Sequence, residues 1–508
     1  MKRATTPTFV CCIPLIVKPN EDRILIGCME AARRLYNAAL GEALRRCSLL
    51  KQSKDWQHAR NITSRKERSD KFRRLSKEAG FTPAALITFA RRCKNEAGWK
   101  NRVGSNVAQR IAERAFTAVQ QYAFGKRGRP RFKGVNRPMH SLEATTNAAN
   151  IIWKRDAGCV EFGGLTIPAL LPSEKQDPYL HRALAHKTKY CRVLWRNIKG
   201  KRRWFVQLMQ EGIAPAKHAV AEGPVVGIDI GPGTVAIVGD NSASLVKLCD
   251  TVIHPWKEIR RMQRAMDRSR RTTNPQCFNR DGTWKNGQKF VPSKRYTALS
   301  AEYAEAERKL ASERKRAHGE LANGILRLGN IVQSETLSYL AFQKLYGKSV
   351  KVRAPGAFIE QLRRKAESAG GKLIDLNTMA LKMSQYDHTT GICTKKLLSQ
   401  RWHVLGDGSG VVQRDIYSAF LARCATGDTH HPSRIASMWA AQKPVLLQTG
   451  WLCSEPTKIE PSGKITVAIP SERVVCNRGL AVGHGRDAVV ARREPGDPDG
   501  FVLKTPRL

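Results

Sequence analysis

The stretch GPVVGIDIGPGTVAIVGD, residues 223–240, sets a single acid, Asp229, inside an apolar β-branched run and follows it with a glycine turn. A run this apolar reads as a strand buried on both faces, with a second strand after the turn. A carboxylate in such a strand is costly unless something pairs with it, and a bound metal is the commonest partner. The plainer alternative is a strand end where Asp229 reaches solvent or caps the turn. The surrounding sequence has to choose between them.

Downstream, strands are expected near 225–230, 233–239 and 243–249, close enough to be joined by hairpins. A long helical section follows, interrupted by TTNPQCFNRDGTWKNGQK and resumed at about residue 295. There Tyr303, Leu310, Ala317, Leu321, Ile325 and Leu328 form an apolar stripe, with arginines and lysines mostly off it. That basic face is either simply solvated or turned towards a polyanion. A short strand, Asn330 to Gln333, leads to Glu335. Then come a helix in PGAFIEQLRRKAESAGG, stopped by its glycines, and a strand KLIDLN. In VVQRDIYSAFLARCA, Val412, Ile416, Ala419 and Phe420 keep helical spacing with Asp415 beside them. Beyond about 440 the periodicity fades.

Upstream, the dominant fact is charge. The 508 residues carry 88 Lys and Arg against 43 Asp and Glu, a formal net charge of +45. A chain this basic is drawn to polyanions, nucleic acid first among them; a ribosome-associated or unspecifically sticky protein is the bland alternative. Residues 51–140 read as a basic helical module ending in FGKRGRPRFKGVNRP. Its Gly and Pro exclude a regular helix and leave Arg127, Arg129, Arg131 and Lys133 on a cationic loop, or on a solvated linker. Residues 141–220 read as short strands. A hairpin is expected around Asn197 to Lys201, with Lys201, Arg202 and Arg203 crowding its turn, as in small barrels that grip a nucleic-acid backbone. The cysteines are odd in number and scattered, without a Cys-x-x-Cys pair, which fits a reducing cytosol. No apolar run approaches the length of a membrane span.

Three acids thus stand out by context: Asp229 in a strand, Glu335 at a strand end and Asp415 on a helix. Cutting a phosphodiester calls for two divalent cations about 4 Å apart, and Mg²⁺ takes hard carboxylate oxygens while keeping several waters. A hairpin sheet, helices, a strand with Glu and a helix with Asp follow one another as in an RNase H-like fold. On this reading Asp229 is a metal ligand.

The motifs then become specific. GIDIGPGTVA resembles the first RuvC motif of the transposon-encoded TnpB nucleases and their type V CRISPR effector relatives, IVQSETL the second, and VQRDIYSAFLA the third. The resemblance extends through AARRLYNAAL and the GRPRFKG loop, over most of residues 8–425. It implies an α/β RuvC nuclease domain joined to all-α and β-barrel parts. Residues 1–19 would be the first strand of a wedge barrel, 20–135 a helical recognition lobe, and 136–220 the rest of the barrel. The nuclease domain would span 221–383 and, after an insertion at 384–410, its last helix 411–440. Residues 441–508 would be a partly disordered extension. Asp229, Glu335 and Asp415 would be the catalytic acids, holding two Mg²⁺ ions. The partners would be a guide RNA and target DNA, in the prokaryotic cytoplasm at the nucleoid, with 5′-phosphate and 3′-hydroxyl products.

One departure is plain. The family usually carries two Cys-x-x-Cys pairs between its second and third motifs. Here that interval offers zinc only His388, Cys393 and His403, perhaps with Asp387 or Asp407, and none has the usual spacing; a metal-free loop is the expectation. Two other functions fit the same motifs. One is a guided DNA-binding protein, a repressor that holds DNA without cutting; the other is a guide-independent, structure-specific nuclease of RuvC type.

Overall fold

The computed structural model describes residues 6–135, 137–215, 223–397 and 399–453. The expected disorder of the C-terminal extension lies, from residue 454, outside them.

The N-terminal strand β1 (Thr8–Pro14) is followed by α1 (Pro19–Gln52), a helix opened by Pro19 and by the Lys18 N–H donating to Glu21 at 2.8 Å. Leu25, Cys28, Met29, Ala32, Leu35, Ala39 and Ala43 recur every three or four residues and are all buried. Helices α2 (Lys54–Arg60), α3 (Arg65–Glu78), α4 (Pro83–Glu96) and α5 (Ser105–Ala123) complete this region, with α4 and α5 packed on α1.

Strands β2 (Ser141–Glu143), β3 (Ile151–Lys154), β4 (Cys159–Phe162) and β5 (Leu165–Pro168) lead through α6 (Pro178–Leu184) to the long hairpin β6 (Thr188–Ile198) and β7 (Lys201–Glu211). Strand β1 pairs with β7 across this distance, giving a four-stranded sheet of order β1-β7-β6-β2, beside a three-stranded sheet β3-β4-β5. A single core joins these strands to α1, α4 and α5.

A second body begins at β8 (Val225–Ile230), with β9 (Thr234–Gly239) and β10 (Ser242–Lys247) following as antiparallel hairpins. Helices α7 (Trp256–Thr273) and α8 (Lys294–Leu328) flank the irregular segment. Next come β11 (Ile331–Glu335), α9 (Tyr339–Arg353), α10 (Pro355–Ser368), β12 (Lys372–Leu376) and the short α11 (Thr378–Leu381). The sheet order is β10-β9-β8-β11-β12, with β8, β11 and β12 mutually parallel. Strands β13 (Trp402–Val404) and β14 (Val411–Gln413) precede α12 (Arg414–Cys424) and α13 (Pro432–Gln448), and β15 (Leu452–Cys453) returns to pair with β14. The boundary expected at 440 therefore falls inside α13, which β15 follows. The pattern hides this because the helix carries Pro444 and buries Gln442 among Ile435, Trp439 and Leu446.

Strand alternation divides the central sheet. Val226, Ile228, Ile230, Val235, Ile237 and Val332 face α8 and α10, whereas Ala236 and Val238 face α12 with its Ile416, Ala419 and Phe420. Gly227 and Asp229, and Gln333 and Glu335, alternate with the first set and so point to the α12 side. No helix among the described residues is long and apolar enough to cross a membrane.

Candidate active site

Parallel pairing sets Ile228 opposite Ser334, so the register carries Glu335 up beside Asp229 at the end of the two strands. The third acid arrives on α12, and Gly227 explains how. A Cβ built at Gly227 would lie 1.9 Å from the carbonyl oxygen of Ala419 and 2.5 Å from the backbone nitrogen of Arg423. With no side chain there, the helix backbone rests directly on β8, and Asp415, one turn before Ala419, comes down over the strand end.

Further contacts fix the helix. Arg423 donates to the carbonyl of Val225 at 3.0 Å and to Gln442 at 2.9 Å, and pairs with Asp240. Gln333 donates to the carbonyl of Ala425 at 3.3 Å. At the other end the Gln413 side chain caps the helix, accepting from the Ile416 N–H at 2.7 Å.

The electrostatics of the three acids follow from this convergence. Asp229 and Glu335 are each half-buried. Burial raises the Asp229 carboxyl well above the usual carboxylate range, and the charges of Asp415 and Glu335 push it further in that direction. Arg414 and the N–H of Ile230 offset part of the rise. Burial also raises Glu335, opposed by a backbone hydrogen bond from Met383, and its Oε1 is buried without a hydrogen-bond partner. Asp415 has Arg414 at 3.5 Å and Arg401 at 3.8 Å. Two acids held against their preferred charge state, one with an orphaned oxygen, are a donor set suited to a hard divalent cation. Among the described residues, however, no group of three or more His, Cys, Asp or Glu could hold a metal ion as it stands.

The other expected positions lie elsewhere. Arg127, Arg129 and Arg131 are exposed on an irregular loop. Lys133 anchors that loop: its carbonyl accepts from Arg33 and from Asn37, and its N–H donates to Asn37 at 2.9 Å. At the hairpin, Lys201 and Arg203 are exposed, but Arg202 is engaged, 2.7 Å from Asp22 of α1 and over the ring of Trp195.

Both zinc-candidate histidines lie against the ring of Tyr417. The Tyr417 hydroxyl accepts from the backbone N–H of His388 at 2.9 Å and shares a second hydrogen bond with that residue's Nδ1 at 2.6 Å. Cys393 is exposed. His403 is buried 3.2 Å from Asp387, and burial holds its imidazole down to about 4. Asp387 organises the segment: its carboxylate accepts from the Thr389 N–H at 2.9 Å, the Thr389 hydroxyl at 2.7 Å and the Gly406 N–H at 2.9 Å. Although burial acts to raise it, these hydrogen bonds leave its carboxyl below the usual range.

Gly227 and Arg414 are the positions that sequence reasoning missed. A glycine two residues before the acid, on the same strand face, was the available signal for the first.

No protein-family model matches the chain, and neither does any curated protein. The chain is similar to Cas12f1. A solved Cas12f1–sgRNA–target DNA complex aligns with it at 12% identity and a TM-score of 0.46, over 80% of this chain and 82% of that one. A CRISPR–Cas12f ternary complex aligns at 13% identity and a TM-score of 0.24, over 74% and 75%.

Proposed function

We propose that the chain is an RNA-guided DNA endonuclease of the TnpB and type V CRISPR effector kind, with an RNase H-like RuvC domain built on β8 to β12 and α12. The observation that carries this reading is the convergence of Asp229, Glu335 and Asp415 on the α12 side of the sheet, close enough for the charges of Asp415 and Glu335 to act on Asp229. The N-terminal sheets would form the wedge barrel and α1 to α5 the recognition lobe. The formal charge of +45 suits a chain that must hold two nucleic acids.

Asp229, Glu335 and Asp415 would hold two Mg²⁺ ions, which when bound supply an activated water and stabilise the leaving oxygen. Mg²⁺ is commonly held by one or two carboxylates together with substrate phosphates, so a complete protein cage need not exist beforehand. The chain's own contribution is positional: the β8–β11 register sets the first two acids, and the Gly227 contact sets the third. Arg401 and Arg414 put positive charge beside Asp415, where a phosphodiester would approach.

One observation favours guided binding without cleavage: the acids do not form a ready metal cluster. A single experiment separates the readings. The chain is expressed with its native flanking DNA, the co-purified RNA is sequenced, and that RNA is redirected to a plasmid target. Mg²⁺-dependent cutting at the paired target supports the endonuclease; guided binding without cutting supports the repressor. Cutting that needs no RNA would mean a guide-independent nuclease.

A further inference from the structure

A cavity of about 660 Å³ opens between the start of α7 and the second half of α9. Its α9 wall is tied to the turn that follows Asp229, since Ser349 donates to the Pro232 carbonyl at 2.8 Å. Two aromatic rings line it: Trp256 is 36% exposed and Tyr346 38%. His254 stacks on Trp256 with ring centroids 3.6 Å apart, and the Lys348 ammonium hangs 5.4 Å over the same indole. No carboxylate lines the cavity.

Helix α9 buries none of its residues and departs from helical geometry at Tyr346, where φ is −127° and ψ 32°. Leu345, also in the lining, is 73% exposed. Aromatic rings at the edge of a cavity, with Lys348 and Arg353 beside them and no acid among the described lining residues, match a planar ring that carries an anion. A base-paired duplex keeps its bases stacked on one another, so the bases of an unpaired strand are the ones free to enter.

The geometry points to this cavity as the seat of an unstacked base of the DNA strand whose backbone enters the three-acid site. With His254 stacked on Trp256 and Lys348 and Lys351 lying over its indole, the ring enters beside Tyr346 and against Trp256 as Lys348 swings off the indole to meet an adjoining phosphate. The identity of the strand rests on the nuclease reading; the stacking site is tested without it. In EDTA, so that nothing is cut, the full chain is titrated with a short single-stranded DNA carrying 2-aminopurine, whose fluorescence falls on stacking.

Wild type is expected to quench it, and Trp256→Phe to keep the quenching. Trp256→Leu and Tyr346→Ala should lose it and weaken binding by about 5- to 150-fold, the range for removing one base–aromatic stack. Tyr346→Ala guards against a folding artefact, because the Tyr346 ring is exposed and outside the core. Equal quenching by wild type and both variants, no quenching by wild type, or equal quenching with a fully paired duplex would each overturn the inference. Failure of wild type to cut DNA in Mg²⁺ is a different result: it sinks the nuclease reading and leaves the stacking measurement standing.

Discussion

Replacing Gly227 with alanine tests whether the sheet–helix contact sets the third acid. The added Cβ would meet the Ala419 carbonyl oxygen at 1.9 Å, the Arg423 nitrogen at 2.5 Å and the Arg423 Cβ at 2.8 Å. The first two are backbone atoms and cannot swing aside. Restoring an ordinary contact of 3.4 Å needs α12 to retreat by about 1.5 Å, the difference between 3.4 and 1.9 Å. Overpacking of this kind costs about 1–3 kcal/mol. The larger effect falls on chemistry, because Asp415 moves with the helix and a misplacement of about 1 Å can cost roughly 100-fold in rate. Single-turnover cleavage should fall by about that factor or more, while RNA binding through the N-terminal region stays near wild type. Gly233→Ala is the control, since its Cβ would meet nothing nearer than 3.5 Å. If Gly227→Ala cleaves at the Gly233→Ala rate, the contact does not position the site and the reasoning is wrong.

Asp229→Ala, Glu335→Ala or Asp415→Ala should each abolish Mg²⁺-dependent cleavage and leave RNA binding intact; retained cutting by the Asp229 variant would sink the assignment. Asp229 and Glu335 are both raised, so in the metal-free chain their stabilising share is complete below their unfolded values near pH 4 and is lost as pH rises through the folded ones. Asp229→Asn should therefore melt higher than wild type at neutral pH in EDTA, with the gain vanishing near pH 4; a lower melting point at neutral pH would contradict the assigned burial. Asp387→Ala should cost about 2–4 kcal/mol in denaturant unfolding, because it strips three donors of a buried charged acceptor. Zinc chelation should leave the wild-type unfolding curve where it was, and a chelator-induced shift would mean that the segment does bind metal.

The central sheet was legible because its strands announce themselves by β-branched runs and tight glycine turns. The acids stood out because a carboxylate is conspicuous in such surroundings. What could not be read was distance in space. Gly227 looks like any strand glycine until Ala419 is known to lie against it. Arg202 reads as a free cation in a basic turn, yet its partner Asp22 is 180 residues away along the chain. The extent of α13 was hidden for a local reason, since its proline and buried glutamine blur the period that marks a helix. Asp387 was visible only as one more possible zinc ligand. That its oxygens are used by the Thr389 and Gly406 donors depends on a loop geometry no spacing rule encodes.

If the chain is the nuclease proposed above, the seat of α12 on Gly227 also fixes when it becomes able to cut. A ribosome delivers the half assigned to RNA on that reading first, and β8 with Asp229 soon after. The strand end stays uncapped until the chain has reached Gln442, when Arg423 can latch the helix to both Val225 and Gln442. At about 5–20 residues per second that interval lasts roughly 10–40 s. On that reading the N-terminal half can meet RNA while Asp415 is still unseated, so capture of a guide can precede any capacity to cut.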